Sequence, residues 1–122
     1  MRAGETGETL AASLLKKRGY RLVERRYRTA LGEIDLIGWD GQTLCFIEVK
    51  SRRSLRAGRG FESVDRRKRR RLARCALYYL TRKGLADQPA RFDVVSVDWV
   101  QGPENPPEIQ LIQNAFELEP EA

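Results

Sequence analysis

Gly32-Glu33-Ile34-Asp35-Leu36-Ile37-Gly38-Trp39-Asp40-Gly41-Gln42-Thr43-Leu44-Cys45-Phe46-Ile47-Glu48-Val49-Lys50-Ser51 is the stretch that decides how this chain folds. Two runs rich in β-branched, aromatic and aliphatic residues, Glu33–Trp39 and about Thr43–Ser51, flank Asp40-Gly41. That dipeptide favours the tight turns that join antiparallel strands. Side chains alternate faces along a strand, so Glu33 and Asp35 share a face, and so do Glu48 and Lys50. The turn decides whether the two pairs meet. A two-residue loop at Asp40-Gly41 sets Asp35 opposite Phe46 and Glu33 opposite Glu48. A loop at Gly41-Gln42 sets Asp35 opposite Glu48 and Glu33 opposite Lys50. Either register gathers all four charged groups on one face, whereas a three-residue loop divides them unless a bulge compensates.

Carboxylates crowded on a half-buried sheet face repel one another, and burying them unpaired is costly. A divalent cation relieves both problems. Mg²⁺ prefers oxygen ligands and usually takes one or two protein carboxylates, leaving room for water and phosphate. Asp35 and Glu48 suit that role, and the Ile47 backbone carbonyl is placed to add an oxygen. Lys50, two residues beyond Glu48, suits a catalytic lysine that orients or deprotonates an attacking water, or stabilises charge on a phosphate. The competing reading is a structural ion pair between Lys50 and Glu33 or Glu48.

Working outward, residues 5–18 read as a helix: Leu10, Ala11, Leu14 and Leu15 recur at helical spacing and Gly19 ends the pattern. Glu8 borders this apolar stripe, and Glu5 points further out. Residues 20–28 read as a strand with Tyr20, Leu22 and Val23 turned inward. After a Gly- and Arg-rich loop at 54–60, a long helix is expected over about 62–82, with Leu72, Ala73, Ala76, Leu77 and Leu80 buried and Gly84 just past its end. Residues 91–100 read as a further strand, and 109–116 as a last edge strand after a loop rich in Gly and Pro. The order α-β-β-β-α-β, with this final strand, places the chain in the mixed α/β class. One domain spanning 1–122 is expected, since its 41% of apolar residues suffices for one core and not two.

The net charge of +6 favours a polyanionic partner. The cations cluster: Arg66-Arg67-Lys68-Arg69-Arg70-Arg71 is unbroken, and Arg52, Arg53, Arg56 and Arg59 precede it. Six consecutive cations cover more than one helical turn. Projecting the apolar stripe backward reaches Arg69, with Lys68 at its flank, so these two are expected to face the sheet. Arg67, Arg70 and Arg71 then face solvent or phosphate, and with Arg52 and Lys68 they form the expected nucleic-acid surface. There is no histidine, which excludes histidine-based nucleophile pairs, histidine general bases and most zinc sites. Cys45 and Cys75 lie in apolar stretches and read as buried free thiols rather than a disulfide. No apolar run approaches the roughly 18 residues that span a bilayer. The first residues, Met1 to Glu5, lack an apolar signal core, so a cytoplasmic protein is expected.

Gly32-Glu33-Ile34-Asp35-Leu36-Ile37 followed by Phe46-Ile47-Glu48-Val49-Lys50-Ser51-Arg52 resembles the YraN-like family of bacterial proteins. That family is similar to archaeal Holliday-junction resolvases and to the PD-(D/E)xK nucleases. The resemblance extends over nearly the whole chain: Gly7-Glu8 with Ala11, Gly19-Tyr20, Lys68, Arg91-Phe92-Asp93-Val94-Val95 and Asn114-Ala115-Phe116. It implies a restriction-endonuclease-like fold, a central mixed sheet flanked by helices. It also implies Asp35 and Glu48 as ligands of Mg²⁺ or Mn²⁺, Lys50 as catalytic lysine, and Glu8 as a helix carboxylate approaching the site. The implied activity is metal-dependent endonucleolytic hydrolysis of DNA, with branched or structured DNA as substrate and a homodimer by analogy with the resolvases. The alternative is a non-catalytic nucleic-acid-binding module that keeps the nuclease fold. In two places the chain departs from the family: Glu24-Arg25-Arg26-Tyr27-Arg28 lacks an asparagine often seen there, and the block around Lys68 is unusually rich in arginine.

Overall fold

The computed structural model describes residues 3–53, 65–102 and 104–116, with side chains from residue 7 onward. Its elements are helix α1 (Ala3–Lys17), strands β1 (Arg21–Thr29), β2 (Gly32–Asp40) and β3 (Thr43–Arg52), helix α2 (Arg66–Arg82), and strands β4 (Ala90–Asp98) and β5 (Glu108–Phe116). The expected start of the second helix at residue 62 lies outside the described residues. Arg66 follows an N-cap at Asp65, whose carboxylate accepts the Lys68 amide at 2.9 Å. Neither helix is long and apolar enough to cross a membrane.

The five strands form one mixed sheet in the order β1-β2-β3-β4-β5. β1, β2 and β3 run as an antiparallel meander. β4 lies parallel to β3, reached through α2, and β5 returns antiparallel to β4. Asp40 pairs with Thr43, so the loop is Gly41-Gln42, the second of the two registers considered. Gly41 has φ +61, which a residue without Cβ adopts at little cost.

Apolar alternation locks this register. α2 lays Leu72, Cys75, Ala76, Tyr79 and Leu80 against Ile37, Leu44, Phe46 and Val94 on one face. α1 lays Ala11, Ala12 and Leu15 against Leu36, Cys45, Ile47, Val95 and Val97 on the other. Slipping the hairpin by one residue would exchange the two sets, and each large apolar side chain removed from its core would forfeit about 1.5–3 kcal/mol. The two thiols are free and buried, on opposite faces of the sheet.

Two expected core residues lie elsewhere. Leu77 is 60% exposed, because the buried stripe runs 72, 75, 76, 79, 80 and leaves it on the outer side of α2, where Cys75 and Tyr79 take the inner positions. Val23 is 38% exposed. The β1–β2 register shifts between Leu22 and Glu24, which turns Val23 out of the core.

Candidate active site

Strict alternation fails at one point, and the site lies there. Ile34 packs in the α2-side core, although Leu36, two residues on, packs in the α1-side core. The break falls at Asp35. Beyond it, the β2–β3 pairing ends: the last registered pair is Leu36↔Ile47. In place of a backbone partner, the Val49 amide donates to Asp35 Oδ2 at 2.8 Å. On the other side of β2, Arg25 pairs with Leu36 and Tyr27 with Ile34, so Arg26 sits across from Asp35.

Three elements converge on this gap. β3 supplies Glu48 and Lys50; Lys50 Nζ lies 3.1 Å from Glu48 Oε1. α2 supplies Lys68, one turn before the buried Leu72, and its Nζ lies 2.7 Å from the same oxygen. α1 supplies Glu8, whose helix comes close at its first turns because Gly7 is buried against Ser51. A Cβ at position 7 would stand 3.0 Å from Ser51 Cβ and Oγ. Glu8 receives Arg26 Nε at 3.2 Å.

The electrostatics are uneven. Burial, followed by the adjacent Glu48 charge, pushes Asp35 up to about 7; the Val49 amide opposes this and Glu8 adds to it. Lys50 is held below the ordinary lysine range by burial and by its neighbour Lys68, against the pull of Glu48. Burial also works against the charge on Lys68, but its hydrogen bonds to Glu48 and Lys50 and the charges of Glu48 and Asp35 together outweigh that and raise it. Of two lysines on one carboxylate oxygen, Lys68 holds its proton tightly and Lys50 loosely. A lysine that gives up its proton easily is suited to general acid-base work.

Arg26 stands out by its backbone. Its φ is +51, a conformation that costs an L-residue with a bulky side chain about 1–2 kcal/mol. Among the described residues the other non-glycine at positive φ is Asn114, a residue type that tolerates it. The half-exposed ion pair with Glu8 returns only about 0–1 kcal/mol. β1 thus carries an arginine in a conformation that asparagine adopts more cheaply. A cleft of about 230 Å³ lies here, lined by Glu8, Thr9, Arg25 and Arg26.

A second buried polar cluster joins β4 to Tyr20. Asp93, fully buried, accepts Tyr20 Oη at 2.7 Å, Arg91 Nε at 3.0 Å and the Asn114 amide at 2.9 Å. Arg91 Nη2 also donates to Asp40 at 2.6 Å and to Tyr20 Oη at 3.0 Å, and Gln113 donates to Tyr20 Oη at 2.9 Å.

Residues 7–97 match the family described as Uncharacterised protein family UPF0102. The chain belongs to that family. A UPF0102 protein of Moorella thermoacetica is 49% identical over 115 residues, 94% of this chain and 95% of its own. One of Symbiobacterium thermophilum is 50% identical over 115 residues, 94% and 96% of the two chains. One of Geotalea uraniireducens is 46% identical over 115 residues, covering 94% and 89%. The matched residues, 7–97, take in every stretch that suggested the YraN-like resemblance except Asn114-Ala115-Phe116.

Within this UPF0102 chain, Asp35, Glu48 and Lys50 come together as the Gly41-Gln42 register requires, and Glu8 approaches them. Glu33 does not join. It lies outside the break at Asp35 and pairs with Arg28 at 3.1 Å. Ile47 is fully buried, in register with Leu36 and with Asp93. Both cations expected at the sheet face it: Lys68 reaches the carboxylates, and Arg69 lies over the ring of Phe116 at the end of β5, 5.4 Å from its centre. Arg67, Arg70 and Arg71 are exposed, Arg71 with its stem over Gly32, and Arg52 is half-buried at the end of β3. Arg56 and Arg59 lie outside the described residues. Among those described, no group of three or more Asp, Glu, Cys or His is arranged to hold a metal ion. Asp35 and Glu48 are the carboxylates that meet here and that could offer oxygens to a cation. Lys68 stands at the carboxylate end of the sheet, as its position four residues before Leu72 predicts; the conformation of Arg26 escaped sequence reasoning and had no signal in the sequence.

Proposed function

We propose that this chain is a metal-dependent nuclease with a restriction-endonuclease-like fold that hydrolyses DNA phosphodiesters. The observation that carries this reading is the convergence of Asp35, Glu48 and Lys50 where β2 and β3 part. Asp35, pushed up to about 7 by burial and then by the Glu48 charge, fits a divalent cation, since a cation offsets both the burial of the carboxylate and the like-charge repulsion. Asp35 and Glu48 would hold Mg²⁺ or Mn²⁺, with the Ile47 carbonyl as a further oxygen; when bound, such an ion polarises a phosphate and acidifies water. Lys50 then orients the attacking water and stabilises charge on the phosphate, while Lys68 holds the Glu48 carboxylate in place through their ion pair. Glu8 bounds the site on the α1 side. Arg67, Arg70 and Arg71 on the exposed side of α2 give the DNA backbone a sequence-independent electrostatic surface.

A second reading is favoured by the two lysines on Glu48: a binding module whose carboxylates are already neutralised and which cuts nothing. One experiment separates the two. Mg²⁺ or Mn²⁺ should raise the melting temperature of the wild type and leave Asp35→Asn/Glu48→Gln unaffected. The wild type alone should cleave members of a panel of single-stranded, duplex, flap and four-way-junction DNAs. Equal metal responses in the two proteins, with no cleavage, would leave the binding module.

A further inference from the structure

We infer that Arg26, with Arg25 beside it, forms a phosphate-binding notch for the DNA backbone on the side of the carboxylate site opposite α2. The inference deepens the nuclease reading by assigning a second contact with the same polyanion.

Three observations carry it. First, Arg26 is an arginine held at φ +51, at a conformational cost that its exposed ion pair with Glu8 does not recover. Strained residues persist where the surroundings require them, and they cluster at functional sites. Asparagine would fill that backbone conformation more cheaply, so what arginine adds is its cation. Second, Arg26 lies across β2 from Asp35, between the registered pairs Arg25↔Leu36 and Tyr27↔Ile34. Its guanidinium meets Glu8, whose charge acts on Asp35. Third, Arg25 and Arg26 of β1 are not packed flat: with Glu8 and Thr9 they line a cleft of about 230 Å³. The ligand that suits such a cleft is a phosphate, since guanidinium binds its oxygens through two parallel N–H donors. A DNA strand whose scissile phosphate meets Lys50 would lay a neighbouring phosphate over Arg26. Glu8 is then the placeholder that Arg26 leaves when phosphate arrives.

The test uses the full chain and a short fluorescent duplex, without divalent ions, in a titration repeated over a salt series. Arg26→Asn keeps the backbone comfortable, so its melting temperature should hold or rise. Its DNA affinity should fall about 3–10-fold, and the slope of log affinity against log salt should drop by about one. Arg26→Lys, which keeps the charge, should retain most of the slope. Arg18→Gln, an equal charge loss just beyond α1, should do much less than Arg26→Asn. Equal losses in Arg18→Gln and Arg26→Asn, or no loss in either, would overturn the notch. So would a wild type that does not bind DNA at all, which overturns the nuclease reading with it. Selective loss in Arg26→Asn with no Mg²⁺-dependent cleavage would uphold the notch and sink the hydrolysis. Cleavage by a wild type whose Arg26→Asn variant binds unchanged would do the reverse.

Discussion

Two buried carboxylate clusters lie on one sheet and are built in opposite ways. Around Asp93, a phenol, a guanidinium and a backbone amide all donate to a single carboxylate. Arg91 binds its carboxylates tightly enough that its proton is held even more firmly than in water, against the effect of burial. Around Asp35 the acid faces another acid, and burial leaves it close to half-protonated at neutral pH. The first arrangement suits a permanent joint, with every charge met inside the protein. The second leaves a demand that the protein does not meet alone, and such demands are characteristic of sites that take a ligand.

The largest expected effect breaks the first cluster. Asp93→Ala removes the acceptor shared by Tyr20, Arg91 and the Asn114 amide, and leaves a guanidinium that is 20% exposed with Asp40 as its remaining carboxylate. Loss of one partner of a buried pair costs about 3–5 kcal/mol, read as a lower denaturant midpoint. The metal response of the molecules that remain folded should be unchanged. If Asp93→Ala is as stable as wild type, the joint is not structural and the contrast fails.

Next comes the second cluster. Lys50→Met removes the weaker-basic lysine while Lys68 stays on Glu48, so folding should survive. Mg²⁺-dependent cleavage should fall about 10²-fold or more, the scale of losing a preorganised charge or general acid-base group. A purely structural ion pair predicts the opposite: a lower melting temperature and cleavage per folded molecule unaltered.

The smallest effect sharpens the comparison through pH. Asp35 has a folded pKa of about 7 against an ordinary 3.8. Between those values the folded chain holds a proton that the unfolded chain has released, so metal-free stability should fall as pH rises from about 4 to about 7. Asp35→Asn should flatten that slope. Because ligands must be deprotonated to bind a metal, the Mg²⁺-induced rise in melting temperature should grow through the same window. Parallel pH–stability curves for wild type and Asp35→Asn would remove Asp35 as the source.

Much of this was legible in the chain itself, for a local reason. Asp35, Glu48 and Lys50 belong to one hairpin, and alternation plus Asp40-Gly41 narrowed their arrangement to two registers before any coordinates. The remainder depended on signals that a pattern does not carry. Leu77 is apolar and adjacent to the stripe but lies on the wrong side of the helix. Glu33 shares parity with Asp35 until the strand breaks between them, and parity says nothing of breaks. Arg26 is one cation in an arginine-rich strand until its φ is known. Asp93 reads as a polar residue in an alternating strand, because its partners Tyr20 and Asn114 come from two distant segments.

The parallel pairing of β3 with β4 has a consequence for how the molecule assembles. The bond from Val49 to Asp35 closes a loop of 14 residues, whereas Tyr20 and Asp93 are 73 apart and Gln113 and Tyr20 are 93 apart. Short loops close early and long ones late, since chain entropy must be surrendered before distant contacts form. During synthesis the meander β1-β2-β3 leaves the ribosome with its carboxylate hairpin able to form, while β4, still to come, would cover one edge of it. Until α2 has crossed and β4 has docked, β3 presents an open row of backbone donors and acceptors. The nascent chain is therefore most open to wrong partners in the interval between making Lys50 and making Asp93.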